Sequence, residues 1–337
     1  MKKSYLIKAL SAALAVTFIF CACGNGNTVT TDDNSQSSAQ NSNPEPMSDD
    51  IVAPTQESTT KESAKPTPEL ILKGESDPSS GTLTGLKPLA SVTYEVKDPE
   101  NSAGLSTKKL SHSHGPASGG KPHPTVVNFQ KKFDKYGALT LDQKSGEKTV
   151  YLTFDCGYEH NNLTSKILDV LKEKNVPAAF FCTLHHIKDQ PELIARMIKE
   201  GHIVGNHSTN HPSFAEISRT KMVREIEECE NYLRENFGYA AKFFRFPAGE
   251  YSDSALDEIN SMGYKCIFWS VAYADWDINK SKGKDYAVKT VMERMHPGAV
   301  ILLHSVSQDN ADALGEIIDK ARSEGYVFNA LNDYNFS

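Results

Sequence analysis

The sequence contains no block rich in lysine or arginine, and this absence limits the classes of molecule that the protein is expected to bind. Its 337 residues include 36 Lys and Arg against 43 Asp and Glu, so the formal net charge is -7 at pH 7. Proteins that bind the phosphates of nucleic acids present clustered positive charge. The composition therefore argues against a nucleic-acid partner.

The N-terminal region lacks an apolar run long enough to span a membrane comfortably. Residues 9–20 form an apolar run of roughly a dozen residues, whereas a transmembrane helix needs ~20. The run follows the basic start Met1-Lys2-Lys3, an arrangement typical of a signal peptide. Residues 1–23 are therefore predicted to be a signal peptide, and the protein is expected to be exported.

The apolar run ends in Phe20-Cys21-Ala22-Cys23-Gly24. A cysteine that follows a small residue at this point resembles the lipobox of bacterial lipoproteins. The resemblance implies lipidation of Cys23 and an anchor in the outer face of the cytoplasmic membrane. Since Phe20 stands where a lipobox usually has leucine, secretion after cleavage by a conventional signal peptidase is the alternative.

Residues 24–85 contain few aromatic residues and no sustained hydrophobic period, and Ser, Thr, Asn, Asp, Gln and Pro predominate. Such a composition buries too little apolar surface to offset the conformational entropy lost on ordering. We therefore predict a disordered tether.

Residues 86–147 are predicted to be an N-terminal extension that packs on a catalytic domain, residues 148–337. Residues 92–96 are a candidate strand, and residues 126–136 a candidate helix. His112, His114 and His123 lie among glycines and prolines. The sequence favours isolated, solvated histidines here over a metal-binding loop.

From residue 149 onward, short apolar strands alternate with amphipathic helices. This alternation predicts a parallel α/β fold, either a barrel or a wound sheet. Active sites of such folds gather at the C-terminal ends of the strands, where Asp155, Arg245 and His304 are expected to converge. The predicted strands are 150–154, 178–182, 203–205, 242–245, 266–270, 299–303 and 326–329, and the predicted helices 162–173, 190–200, 218–236, 252–262, 286–295 and 310–324.

The residue types at these strand ends suggest metal-assisted hydrolysis. Asp155 follows an apolar strand and could serve as a general base beside a metal-bound water. His207 and His211 lie four residues apart, in a helical turn or a loop, and are candidate metal ligands. Arg245 could hold a carboxylate by two hydrogen bonds. His304 is a candidate general acid.

Five motifs in this order resemble the polysaccharide deacetylase (NodB homology) family, carbohydrate esterase family 4. TFDCG at 153–157 corresponds to the family's TFDDG, and HSTNH at 207–211 to HSxxH. RFPAG at 245–249 corresponds to RPPYG, Asp275-Trp276 to DxxDW, and LLH at 302–304 to LxxH. The resemblance covers residues 148–337 and implies a distorted parallel (β/α) barrel that hydrolyses N-acetyl groups on glycans.

Carried over by position, the resemblance gives each site residue a role. It implies a base, Asp155, oriented by Arg245, and a general acid, His304, partnered by Asp275. It also implies a divalent metal, with zinc favoured. The remaining roles are metal ligands for His207 and His211, an oxyanion-stabilising N–H for Ala248, and an acetyl pocket lined by Trp276 and Leu302.

Departures from the family pattern point to one branch of it. Cys156 replaces the second aspartate, which is normally the third protein ligand, and Phe246, Ala248 and Ala272 also differ. The chain is most similar to the delta-lactam-biosynthetic de-N-acetylases of spore-forming bacteria. That implies N-acetylmuramic acid as substrate, muramic delta-lactam in spore cortex peptidoglycan as the outcome, and functional coupling to a cell-wall amidase. The alternatives are a general peptidoglycan N-acetylglucosamine deacetylase and a glycan-binding pseudoenzyme.

Cys156 itself has three interpretations. Its thiolate could be a soft third ligand that favours zinc, or it could form a disulfide with Cys182 of the next strand. It could also be a small residue that merely tolerates a site with two histidines, and this interpretation is preferred.

Overall fold

The computed structural model of the protein describes residues 75–146 and 148–336. The predicted signal peptide, the lipidation site Cys23 and the tether as far as residue 74 lie outside these residues. In the two described ranges, no helix combines the length and the apolar character needed to cross a lipid bilayer.

Strands and helices alternate along most of the described chain. The strands are β1 (Leu110–Ser111), β2 (Thr149–Cys156), β3 (Ala178–Cys182), β4 (Ile203–Asn206), β5 (Phe243–Phe244), β6 (Glu250–Tyr251), β7 (Lys265–Cys266), β8 (Ala299–His304) and β9 (Val327–Phe328). The α-helices are α1 (Pro124–Phe133), α2 (Leu163–Lys174), α3 (Leu184–Asp189), α4 (Pro191–Lys199), α5 (Arg219–Phe237), α6 (Asp253–Ser261), α7 (Lys284–Arg294) and α8 (Gln308–Ser323). Short 3-10 helices cover Asp134–Tyr136, Pro247–Gly249 and Leu331–Asp333.

A 7-stranded sheet with the order β7-β5-β4-β3-β2-β8, and with β9 paired to β2, forms the centre of the fold. Its strand pairs are parallel. Beyond β7, Val271 makes a parallel bridge to Ile301 of β8, which joins the two ends of the sheet. The result is a distorted parallel (β/α) barrel, and this confirms the predicted fold class.

The burial of β2 explains how the barrel presents its functional residues. Nearly every residue of the strand is buried, as expected for a parallel strand that is covered on both faces. Because side chains alternate along a strand, Phe154 and Cys156 pack in the core formed with the surrounding helices. Tyr151 lies instead in the core inside the barrel, and Asp155 faces the same side.

Several segments differ from the sequence prediction, among them residues 92–96 and α3. Residues 92–96 form no strand, because their backbone is bound by side chains of α5. The N–H of Val92 donates to Asn231 Oδ1 at 2.7 Å and that of Tyr94 to Glu227 Oε2 at 2.8 Å. In addition, the sequence did not reveal α3, a six-residue helix whose N-terminus is capped by the Thr183 hydroxyl.

Part of the segment that composition assigned to the tether is packed on the domain. The N–H of Leu83 donates to Asn236 O at 3.2 Å, and the buried Thr84 hydroxyl donates to Phe237 O. Gly238, with φ +61°, lies so close to Lys87 that an added Cβ would meet the Lys87 carbonyl oxygen at 2.3 Å. The packed chain therefore begins before residue 86, because contacts with the end of α5 hold this polar segment.

Candidate active site

The carboxylate of Asp155 is held at the end of β2 by a buried arginine. Arg245, which follows β5 and is 0% exposed, donates from Nη1 to Asp155 Oδ1 at 2.8 Å. Its other N–H groups donate to Thr153 Oγ1 at 2.9 Å and to the carbonyl oxygens of Ile267 and Phe268 at 2.9 and 3.2 Å. With its donors bound in this way, the guanidinium has one fixed orientation toward Asp155.

The surroundings of Asp155 favour its ionised form. Burial by itself would raise the pKa of this carboxyl, but Arg245, His207 and His304 together bring the pKa below its usual value. Arg245 occupies Oδ1, whereas Oδ2 lies 3.6 Å from His207 Nε2. Asp155 is therefore an ionised carboxylate with one oxygen turned toward the histidine pair.

A second carboxylate orients His304 at the end of β8. The His304 ring is bound at Nδ1 by Asp275 Oδ1 at 2.7 Å. Asp275 Oδ2 accepts from the His304 backbone N–H at 2.8 Å and from Asn310 Nδ2 at 2.6 Å. A carboxylate at Nδ1 fixes the proton on that nitrogen and leaves Nε2 for proton exchange with a substrate.

The charge of Asp275 also sets the proton affinity of His304. Burial would lower the pKa of His304, but the charge and hydrogen bond of Asp275, together with the charge of Asp155, outweigh burial, and the pKa lies above its usual value. His304 therefore retains a proton to a higher pH than an ordinary histidine.

His207 and His211 lie in a loop after β4, not on a helix. Ser208 and His211 have left-handed backbone conformations, with φ of 70° and 55°. The Ser208 N–H donates to Asn206 Oδ1 and the His211 N–H to Ser208 Oγ, both at 2.9 Å. This turn brings the two rings to a centroid distance of 4.9 Å at an angle of 77°.

The donor chemistry of this pair fits a divalent metal ion. His207 Nδ1 binds the Arg245 carbonyl oxygen at 2.8 Å, which places its proton there and leaves a lone pair on Nε2. Burial lowers the pKa of His207 to about 4, so the ring is neutral at physiological pH. His211 is exposed at the rim. Both histidines would hold the ion beside Asp155.

Cys156 does not join this pair. Its side chain packs with the core on the helix-covered side of β2, and the residue is 0% exposed. Its Cα partner in β3 is Cys182, yet both are free thiols, as are Cys229 and Cys266. The structure thus supports neither the third-ligand interpretation nor the disulfide.

These groups open onto a cavity of about 1040 Å³. Leu302 and the exposed Trp276 line it, and the Trp276 ring lies edge-on to His304 at 6.0 Å. Ala248 also lines it, with the unusual φ of 53°, and such backbone strain concentrates at functional sites. The structure therefore brings the predicted acetyl-pocket residues to the same cavity as the base and acid.

The prediction that His112 and His114 are solvated was wrong. The pairing of β1 with β6 carries them to the mouth of the barrel. His112 Nε2 binds the Trp269 carbonyl oxygen at 2.7 Å, and His114 Nδ1 accepts from Trp269 Nε1 at 3.0 Å. Burial lowers the pKa of His112 to about 3. Leu110, His112 and His114 are spaced two residues apart. In an extended segment, this spacing could have indicated that the three side chains share one face.

Two further residues of the site carried no recognisable signal in the sequence. Asn310, at the start of α8, is buried and donates to Asp275. Arg294, at the end of α7, lines the cavity and donates to the Ala272 carbonyl oxygen. Both reach the site from helices, where they look like ordinary surface positions in the sequence.

Comparisons with known proteins agree with this geometry. A family model described as polysaccharide deacetylase matches residues 142–267. The peptidoglycan-N-acetylmuramic acid deacetylase PdaA of Bacillus subtilis is 43% identical over 233 residues, which are 68% of this chain and 84% of the relative. A peptidoglycan-N-acetylglucosamine deacetylase of Bacillus cereus is 36% identical over 202 residues, 59% of this chain and 72% of the relative.

A solved structure of Bacillus subtilis PdaA, described as a family 4 carbohydrate esterase, superposes with a TM-score of 0.65 at 39% sequence identity. The match covers 68% of this chain and 97% of that structure. The matching sequence, fold and site geometry show that this chain belongs to the polysaccharide deacetylase family, whose members are hydrolases that act on amide bonds.

Proposed function

We propose that this protein removes the N-acetyl group of N-acetylmuramic acid in peptidoglycan glycan strands. The observation that carries the proposal is the pair of oriented acid–base groups, Asp155 with Arg245 and His304 with Asp275, that face one cavity. Binding alone needs no such pair, so the arrangement speaks against a glycan-binding pseudoenzyme.

Asp155 is the general base of the proposed reaction. Arg245 holds Oδ1 and keeps the carboxyl ionised, so Oδ2 takes the proton from the attacking water. His207 and His211 would hold a divalent metal ion, for which zinc suits imidazole ligands. When bound, that ion supplies a Lewis acid that polarises the amide carbonyl and acidifies water.

His304 is the general acid. Because Asp275 binds Nδ1, Nε2 is the ring nitrogen left for a substrate in the cavity that His304 lines. The raised pKa keeps the ring protonated for proton transfer to the departing amine nitrogen. The backbone N–H of Ala248 is proposed to donate to the oxyanion, an interaction often worth ~3 kcal/mol. Trp276 and Leu302 would enclose the acetyl methyl group. The products are acetate and the free amine of the sugar.

Arg294 supports muramic acid over glucosamine as the substrate. It lines the same cavity as Asp155 and His304 and binds the Ala272 carbonyl oxygen. Among the residues that the structure describes it forms no ion pair, so its charge is available to a ligand. The lactyl carboxylate distinguishes muramic acid from glucosamine, and an arginine pairs well with a carboxylate. The relative at 43% identity bears the same specificity in its name.

The proposal also covers the steps that precede and follow removal of the acetyl group. The freed amine of muramic acid can close onto the lactyl carboxyl of the same sugar with loss of water, which gives muramic delta-lactam as in spore cortex. A cell-wall amidase that strips the stem peptides would supply the bare glycan. Export by the signal peptide and an anchor at Cys23 would place the domain at the wall.

Mass spectrometry of digested glycan tests the proposal. The purified full chain is incubated with peptide-free glycan strands, with zinc and with chelator, and Asp155→Asn serves as the inactive control. We expect zinc-dependent loss of acetyl from muramic acid. Loss from glucosamine alone would replace the substrate assignment with the alternative deacetylase, and no loss with any metal would overturn the proposal.

A further inference from the structure

Three metal-binding side chains meet on the side of β2 away from the active site. The donor atoms of Cys156, Cys182 and His186 all lie within 4.8 Å of one another. Each of the three residues is 0% exposed. The reaction described above uses none of them.

The fold itself brings the three side chains together. Cys156 ends β2 and Cys182 ends β3, and the two are Cα partners across the parallel ladder. His186 lies in the first turn of α3, where its N–H donates to the Thr183 hydroxyl at 3.2 Å. This cap ties the start of the helix to the residue that follows Cys182, so His186 lies directly above both strand ends.

His186 has no hydrogen-bond partner that would explain its burial. Neither Nδ1 nor Nε2 is bound by any atom of the described chain. A buried polar group without a partner destabilises the folded state. Burial lowers the pKa of His186 to about 4, so the ring is neutral and one nitrogen offers a lone pair.

We infer that Cys156, Cys182 and His186 form a second metal site, which binds a thiophilic cation such as Zn²⁺ or Cu⁺ and is separate from the active site. Thiolate and imidazole are the donors that these cations prefer. Two thiolates would neutralise the charge of Zn²⁺, so the loaded site can stay buried without net charge. Two sulfurs bound to one zinc ion are ~3.8 Å apart, and the three donor atoms already lie within 4.8 Å of one another, so binding needs only a small contraction.

Binding at this site is coupled to proton release. Without an ion, burial raises the pKa of the Cys182 thiol, which therefore keeps its proton. Cysteine binds these cations as the thiolate, so protons leave to solvent as the cation binds. The bound ion would join β2, β3 and α3 directly behind Asp155 and so stabilise the strand end that carries the catalytic base. This role does not depend on the identity of the sugar substrate.

Cobalt substitution tests the inference without reference to catalysis. The reduced full chain is stripped of metal and reconstituted with Co²⁺, whose bond to thiolate gives a near-ultraviolet charge-transfer band. We expect this band in the wild type and in the variant His207→Ala with His211→Ala, since the active-site pair offers no sulfur. Added Zn²⁺ should remove the band by displacement. A parallel titration with Cu⁺ against a competing chelator decides between the two cations.

Single substitutions test whether Cys182 and His186 are the metal ligands. Cys182→Ala should abolish the band, whereas Cys229→Ala, which removes another fully buried thiol, should leave it unchanged. His186→Asn keeps both thiols and should weaken zinc retention at least ~10-fold, which guards against misfolding of Cys182→Ala. Absence of the band in the reduced wild type would overturn the inference. So would a Cys156–Cys182 disulfide that persists in the isolated protein and accounts for both thiols.

Discussion

At the scale of single residues, neighbouring charges set the protonation states of Asp155 and His304. Arg245 counteracts the burial that would otherwise neutralise Asp155. Asp275 counteracts the burial that would otherwise deprotonate His304. Because the two effects act in opposite directions, the base is unprotonated and the acid protonated over the same range of pH.

The pH dependence of the reaction should follow from Asp275. The general acid must carry a proton, so activity is lost as pH rises through the pKa of His304. Asp275→Asn removes the negative charge at nearly constant shape, which lowers that pKa. We expect kcat to fall by ~10²-fold and the alkaline limb of the kcat/KM profile to move to lower pH. The control Asp277→Asn, whose carboxylate pairs with Lys280, should leave the profile in place.

Specificity for muramic acid should depend on Arg294. Arg294→Ala should lower kcat/KM on muramic acid substrates by roughly 10-fold to 100-fold, the equivalent of one charge-assisted hydrogen bond. Activity on substrates without the lactyl group should change little. Arg294→Lys keeps the charge and should retain part of the preference, as measured by competition between the two sugars. Equal losses on both sugars would assign Arg294 to the packing of the cavity wall instead.

At the scale of elements, the barrel explains why distant residues meet. The C-terminal ends of β2, β5 and β8 supply Asp155, Arg245 and His304, and parallel strands end at the same edge. The short strand β1 pairs with β6 and adds His112 and His114 from the N-terminal extension. The extension is therefore part of the cavity wall and not only a linker.

Substitution of the glycine that follows α5 tests how closely the N-terminal extension packs on this helix. Gly238 has φ +61°, and an added Cβ would lie 2.3 Å from the Lys87 carbonyl oxygen, whereas Gly263 has φ +89° and nothing within 4 Å. Gly238→Ala should destabilise the protein by about 1–3 kcal/mol more than Gly263→Ala, because only the first substitution also forces the extension away. Urea unfolding measures both. Equal destabilisation would show that residue 87 moves aside without cost.

At the scale of the whole molecule, the prediction of a lipid anchor concerns residues outside the described ranges. Cys23→Ala removes the predicted lipidation site, and the protein should shift from the membrane fraction to the soluble fraction of fractionated cells. Immunoblotting of the two fractions measures the shift, with Cys21→Ala as the matched control that should stay on the membrane. Retention of Cys23→Ala on the membrane would favour another mode of attachment.

Sequence patterns predicted the structure best where a single apolar strand or a single motif contained the informative residues. Strands β2, β3 and β8 are long, apolar and buried, and their predicted positions agree with the structure to within two residues. Asp155 and His304 lie at the C-terminal ends of β2 and β8, and Arg245 follows the short strand β5, so the three residues could be placed at one edge. The patterns failed for residues 92–96, where hydrogen bonds from backbone N–H groups to α5 side chains override a local preference for strand.

The sequence alone therefore determined the α/β class, and it placed Asp155, Arg245, His304 and the histidine pair at the ends of strands, because strand period and motif spacing are local properties of the chain. Only the tertiary structure decided which side of β2 Cys156 faces, how His112 and His114 enter the cavity wall, and that Arg294 reaches the same cavity. These depend on strand register, helix direction and burial, which arise from contacts between residues far apart in the chain. For the same reason, no spacing in the sequence pointed to His186 as the neighbour of Cys156 and Cys182.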